Sequence, residues 1–471
     1  MEAGIERKEY KPYDYQRYAE NWIIEKPCCG LFLEMGLGKT IITLSALRDL
    51  KFNRFKINKT LVIAPKRVAE ASWSDEAAKW EHLRRYRVSL VLGSEKERKR
   101  AIAEKADLYV ASRDSVVWLV EHYGKVWPFD CVVLDESSSF KNHRSKRFRA
   151  LKSVRKKINR MILLTGTPAP KSLLDLWAQI FLLDSGKRLG RTFSSFRDFY
   201  FVPDKRSRER VFTYKPRSIA QEAITEKLKD ICLSMKSEDF LDLPEKQIIK
   251  VPVILSGETK KQYKKLEKEM LLQVGDEEIT ASTQAVLSSK LLQLCNGAVY
   301  STDERGERKT IRVHQKKLET LLEILEFLTV NGQKHALVFY EFQSDKECIL
   351  KALSATKLKC ATLDNAASVH MWNTGKIDVL LAHPASCAYG LNLQSGGNHI
   401  IWYGLPWNPE LFEQSNKRLH RMGQKNTVFI HVLLVKDSRD EDVFSALKAE
   451  GECQDKLIES LKARVNEAKK E

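Results

Sequence analysis

Short apolar runs rich in β-branched residues alternate with longer amphipathic segments from residue 31 to 184. The runs at 61–64, 108–111, 131–134 and 161–164 each end at a polar or glycine-rich turn. Uniformly apolar strands separated by helix-length amphipathic stretches predict a parallel sheet covered by crossover helices. The alternation stops between 185 and 244, where Phe193, Phe196, Phe199, Tyr200 and Phe201 stand among arginines. That segment predicts a mostly helical insertion, which either grips a partner or packs a small core of its own. A Lys- and Glu-rich helical stretch follows over 256–297, with apolar positions at Leu266, Met270 and Leu271, then a polar loop over 301–310. Alternation resumes at 336–340, 362–363, 379–382, 399–403 and 428–435, and predicts a second α/β lobe. The organisation read from this pattern is a first lobe over 1–185, helical insertions and an inter-lobe connection over 186–310, a second lobe over 311–446 and a charged C-terminal helix over 447–471.

A chain of 471 residues exceeds what one hydrophobic core supports, which agrees with two lobes. Lys and Arg number 80 against 62 Asp and Glu, a net charge of +18, and basic clusters recur at 96–100, 155–157 and 205–210. The excess points to a polyanionic partner, with a merely solvated basic face as the competing reading. A membrane partner is excluded from this reading, because no apolar run approaches the ~18 residues of a spanning helix. The amino terminus is charged and carries no export signal. Nine cysteines without a C-x-x-C pair fit neither a disulfide framework nor a zinc site. A reducing compartment is expected, the cytoplasm or, in a eukaryote, the nucleus.

Residues 32–40, FLEMGLGKT, carry an apolar strand through glycines into an amphipathic helix. Such a turn points backbone N–H groups at one spot and holds a phosphate. Met35, Gly36, Leu37 and Gly38 would form the cradle, Lys39 would add charge for the β and γ phosphates, and the Thr40 hydroxyl would ligate Mg²⁺. The full Walker spacing fails at Leu33, so an ordinary helix start competes. Val132–Leu134 runs into Asp135 and Glu136, two carboxylates at a strand end. A nucleotide-hydrolysing site needs one carboxylate to hold Mg²⁺ and one to orient the attacking water, roles that suit Asp135 and Glu136 in that order. A surface turn after a buried strand is the alternative. Thr165 and Thr167 flank Gly166 after another strand, either to sense the γ-phosphate through those carboxylates or to cap a helix. In the distal half Arg418 and Arg421 stand one helical turn apart, as paired arginine fingers or as part of an amphipathic surface helix.

Together, in this order, these elements resemble helicase superfamily two, and within it the Swi/Snf-type double-stranded DNA translocases, in the compact form found in bacteria and their viruses. Tyr13–Gln16 is similar to the family's adenine-reading segment, which implies Gln16 as the adenine contact. Glu34–Thr40 looks like its phosphate loop, which does not require glycine at Leu33. The strand end at Lys66 resembles the motif that touches the nucleic-acid backbone. Asp135–Asn142 is similar to the carboxylate motif, including its Lys-Asn pair. Leu163–Pro168 resembles the coupling motif, and Leu173–Trp177 follows as in relatives. Gly390–Leu393 looks like the core of the fifth motif, which implies Gly390 at the nucleotide site, and 418–424 resembles the sixth, with Arg421 as the finger and Arg418 as a second γ-phosphate contact. Ser137 and Ser138 depart from the family, where a small residue and a histidine are common, and so do Ala385 and Pro170–Ser172.

The resemblance implies two RecA-like lobes that bind ATP and Mg²⁺ between them, with Gln16, Lys39, Thr40, Asp135 and Glu136 from one lobe and Arg418 and Arg421 from the other. It implies a motor on double-stranded DNA, expected to be a monomer, and Lys66, Ser112 and Arg113, at the ends of first-lobe strands, are the candidates for the track-facing surface. A strand-separating helicase on DNA or RNA, and a non-catalytic basic scaffold, are the other readings.

Overall fold

The uniformly apolar runs of the first half become strands because each is covered on both faces. In this computed structural model, residues 7–170, 172–204, 211, 213–240, 243–265, 281–302, 308–333, 335–387 and 391–460 are described. The strands of the first half are β1 (Cys28–Leu33), β2 (Thr60–Ala64), β3 (Val88–Val91), β4 (Leu108–Ser112), β5 (Cys131–Asp135), β6 (Arg160–Leu164), β7 (Phe201–Pro203), β8 (Tyr214–Pro216) and β9 (Cys232–Met235). Seven of them form one sheet in the order β3-β4-β2-β5-β6-β1-β9, with every pairing parallel. Alternate residues feed two cores: Phe32, Leu61, Ile63, Val132 and Leu134 pack on one face, and Leu31, Leu33, Val62, Ala64 and Val133 on the other. Because the strands are parallel, their carboxyl ends share one edge, where the loops of an α/β sheet bind ligands.

This sheet belongs to a unit built on Met1–Leu241, and Asp242–Ala449 forms a second. The second unit has its own six-stranded sheet. Its strands are β10 (Lys246–Val253), β13 (Ala336–Phe339), β14 (Cys360–Thr362), β15 (Val379–Ala382), β16 (His399–Trp402) and β17 (Val428–Val435), and an antiparallel pair, β11 (Ala298–Thr302) and β12 (Arg308–Arg312), stands apart. The order is β10-β17-β16-β13-β15-β14, again parallel throughout. The fold class is therefore α/β, two parallel-sheet lobes with helical insertions.

Several elements differ from the pattern-based reading. Strand β9 lies inside the stretch read as a helical insertion, yet it pairs with β1 and completes the first sheet. Its sequence, CLSM, has no β-branched residue to mark it. Strand β10 is an edge strand, mostly exposed, and its Pro252 argues against a strand in the sequence pattern. Of the stretch read as a polar loop, residues 301–302 and 308–310 are strand, paired within the β11–β12 hairpin, and 303–307 lie outside the described residues. Leu266, Met270, Leu271 and the 205–210 basic cluster also lie outside the described residues. The C-terminal helix starts earlier than its composition suggested, at Arg439–Ser460. Within the aromatic insertion Phe196, Tyr200 and Phe201 are buried in the first core and Phe193 packs against it, whereas Phe199 is 66% exposed. Packing therefore accounts for four of the five rings.

Candidate active site

The strand-to-helix turn after β1 is shaped by its glycines. Gly36 and Gly38 adopt φ +91 and +80, and Gly38 is the residue that opens helix Lys39–Arg48. A side chain at Gly38 would be strained by that φ, and its Cβ would meet Gln16 Nε2 at 2.7 Å. Gln16, buried in helix Asp14–Glu25, accepts from the Tyr13 amide at 3.0 Å and donates to the Leu37 carbonyl at 3.5 Å, which ties the segment read as adenine-contacting to the glycine loop. Lys39 crosses the loop, donating to the carbonyls of Leu33 at 2.9 Å and Glu34 at 3.4 Å. Glu34 itself is buried and accepts from the Ser237 amide and hydroxyl at 3.1 and 2.5 Å, so the segment after β9 clamps the root of the loop.

Asp135 ends β5, fully inside the structure, and accepts the indole N–H of Trp73 at 2.9 Å on Oδ2 and the Glu136 amide at 3.1 Å on Oδ1. Burial, and then the neighbouring Glu136 charge, push its carboxyl up to about 6, against the pull of Trp73 and of the Lys39 ammonium. Glu136 takes a left-handed backbone, φ 51 and ψ 60, which turns the chain abruptly after the strand. Thr165, at the end of β6, donates to Glu136 Oε2 at 3.3 Å and accepts the Thr167 amide at 3.0 Å. Gly166 lets this loop lie against the phosphate loop, since a Cβ there would sit 3.3 Å from the Leu33 carbonyl. The Thr167 hydroxyl is buried with no hydrogen-bond partner among the described residues. Lys39, Asp135, Glu136 and Thr165 thus converge at one sheet edge. Thr40, in the first turn of its helix, is half-buried beside them.

Of the residues read as track-facing, Lys66 is exposed, 3.9 Å from Glu70, and Arg113 is half-buried. Ser112 departs from that expectation. It is buried, and its hydroxyl lies 3.0 Å from that of Ser115 because the chain tightens into a turn over Arg113–Ser115.

In the second unit Arg418 and Arg421 do not lie on a helix. Helix Pro409–Asn416 ends before them, since Asn416 is held by the Trp402 indole at 2.9 Å, His420 reaches the Pro244 carbonyl at 2.8 Å, and Gly423 turns the chain at φ +96. Both arginines nevertheless converge, each donating to the Leu391 carbonyl at 3.2 Å. Burial and the neighbouring Arg418 charge lower the Arg421 guanidinium to about 10, and among the described residues Arg421 has no ion-pair partner. Gly390 lies outside the described residues.

Two buried partners carried no motif. Trp73 lies 62 residues before Asp135, and nothing local marks it. Gln179, fully buried, bonds Ser137 at 2.8 Å and the Pro168 carbonyl at 2.7 Å. A lone carboxamide within the apolar run LWAQIFLL was a legible signal.

Comparison with known proteins matches most of the chain to two domain families. The SNF2-related domain model matches residues 15–298, and the helicase conserved C-terminal domain model matches 316–423. Protein p41 of Acyrthosiphon pisum secondary endosymbiont phage 1 is 35% identical over 97% of this chain and 100% of its own length. The ISWI chromatin-remodeling complex ATPase ISW1 of Saccharomyces cerevisiae is 25% identical over 96% of this chain, which spans 41% of ISW1. Among solved structures, the Sulfolobus solfataricus SWI2/SNF2 ATPase core in complex with dsDNA aligns with a TM-score of 0.44 at 21% identity, covering 96% of this chain and 95% of that one.

Proposed function

The chain belongs to the SNF2-related family of helicase-like ATPases, and from that premise we propose that it is a Mg-ATP-driven motor that moves along double-stranded DNA without separating the strands. The observation that carries the reading is the convergence of Lys39, Asp135, Glu136 and Thr165 at the carboxyl edge of one parallel sheet.

In this reading the glycine loop and Lys39 grasp the triphosphate, and Gln16 meets the adenine. The Thr40 hydroxyl and the Asp135 carboxylate are hard oxygen donors that fit Mg²⁺, and the raised Asp135 carboxyl is what a buried anion built to face a cation displays. Mg²⁺ would neutralise charge on the phosphate oxygens. Glu136 orients and deprotonates the attacking water, and Thr165, bonded to Glu136, reports the state of that carboxylate to the neighbouring loop. Arg418 and Arg421 stabilise the charge that develops on the γ-phosphoryl group, with Arg421 the principal finger. Lys66 and Arg113 contribute phosphate-backbone contacts, and the net charge of +18 supports a polyanionic track read without regard to sequence.

Measuring ATP turnover with no nucleic acid, single strands, duplex DNA and duplex RNA tests this. Duplex DNA should stimulate most, with triplex displacement but no duplex unwinding. Stimulation by RNA alone, or unwinding, would overturn the DNA-translocase reading, and absence of turnover would leave a scaffold. Glu136→Gln should bind ATP without turnover and Lys39→Ala should weaken both; a normal rate in either would overturn the site assignment.

A further inference from the structure

We propose that Gln179 is a positioning residue for hydrolysis, a buried brace that sets the loop after β5 against the loop after β6. The inference rests on the ATPase reading above. Helix Leu176–Asp184 is buried over eight consecutive residues, and Gln179 is the one carboxamide among them. An apolar side chain would be easier to bury there, because a buried amide is tolerated only when its polar atoms are bonded. Gln179 meets that condition by bonding outward. Its Oε1 accepts from the Ser137 hydroxyl at 2.8 Å, and its Nε2 donates to the carbonyls of Pro168 at 2.7 Å and Asp175 at 2.9 Å.

One carboxamide therefore joins the two loops that carry Glu136 and Thr165. Their direct bond is a long one, 3.3 Å, and Glu136 sits in a left-handed conformation that a non-glycine residue holds only with support around it. Ser137, the next residue in the chain, supplies that anchorage through Gln179, while the Ser139 amide closes the turn on the Glu136 carbonyl at 3.0 Å. Lys141 and Asp175 add a third tie at 3.7 Å, partly open to solvent and so weaker. The partner of Ser137 is a side chain on a separate helix, Leu176–Asp184. None of the bonds of Gln179 reaches the glycine loop. Its loss should therefore disturb the alignment of the water-activating carboxylate and leave the grasp on ATP intact.

The test uses the full chain with Ser137→Ala, Gln179→Leu and the double variant. Turnover is expressed per site counted with a fluorescent ATP analogue, so that a loss of folded protein does not register as a loss of rate. Each single change should lower kcat ~10-fold with KM for ATP unchanged, and the double should be no slower than the slower single, because both remove the same linkage. A wild-type kcat per site in Ser137→Ala, which removes one hydroxyl and is the milder change should Gln179→Leu not fold, would overturn the proposal. So would losses that multiply in the double variant. A wild-type chain without turnover would defeat the ATPase reading itself, whereas an active wild type with unaffected variants defeats this inference alone.

Discussion

The indole nitrogen of Trp73 donates to Oδ2 of Asp135 at 2.9 Å, in the core on the sheet face that holds Leu31, Val62 and Val133. This bond, with the Glu136 amide on Oδ1, holds a carboxylate that is otherwise costly to bury.

That cost is measurable through pH. Asp135 is raised from 3.8 to about 6 by burial and by Glu136, so the folded state holds its proton more tightly than the unfolded chain. Stability should therefore fall as pH rises from about 4 to about 6, and the full penalty, roughly 3 kcal/mol, persists at neutral pH in the absence of cations. Asp135→Asn removes the charge and keeps one acceptor for Trp73. We expect it to abolish turnover yet raise the stability of the nucleotide-free protein at pH 7.5 by on the order of 1–2 kcal/mol, an advantage that vanishes below pH 4. Denaturant unfolding at both pH values decides it; an equal effect at both would show that Asp135 is not the titrating group.

Arg418 and Arg421 share the Leu391 carbonyl, which gathers two guanidinium groups, and their positive charge, at one acceptor. Arg421→Ala should reduce turnover ~10³-fold or more while leaving ATP binding largely intact. Arg421→Lys should recover little, since an ammonium does not reproduce the planar fork. Nucleotide affinity measured alongside turnover separates the outcomes: loss of DNA binding alone would mean that these arginines face a phosphate backbone.

What was legible in the sequence was local in the chain. A parallel sheet puts its ligand loops at strand ends, so Lys39, Asp135, Glu136 and Thr165 could be found by reading the residues after each apolar run. The arginine spacing suggested a helix, because three residues make one turn; the actual chain is bent by tertiary bonds from Trp402 and to Pro244, which no local pattern encodes. Ser112 looked like its neighbours at strand ends, and only the hydroxyl of Ser115 distinguishes it. Trp73 stayed invisible for the same reason, since its partner lies 62 residues away.

The deepest example of that blindness is Lys317, which reads as an ordinary solvated lysine in the first turn of helix Lys316–Val330 and is fully buried. Its ammonium pairs with Asp440 at 2.6 Å and donates to Asn296 Oδ1 at 2.8 Å and the Tyr403 carbonyl at 3.0 Å, which uses all three protons. Asn296 in turn donates to Asp345 at 2.8 Å, and Asp440 accepts the Val435 amide at 3.1 Å, so the pair ties together the loop before β11, the end of β16, the end of β17 and the start of the C-terminal helix. Such a pair need not stabilise relative to apolar residues, but removing one member strands the other. Lys317→Met should destabilise the second unit by ~3–5 kcal/mol, and Lys317→Met combined with Asp440→Asn should recover part of that loss, because no uncompensated charge remains. The two variants are compared by denaturant midpoint. If the single change left the midpoint unmoved, the ammonium would be reaching water and the network would not be dry; if the double change were worse than the single, the cap that Asp440 provides to Val435 would outweigh its charge.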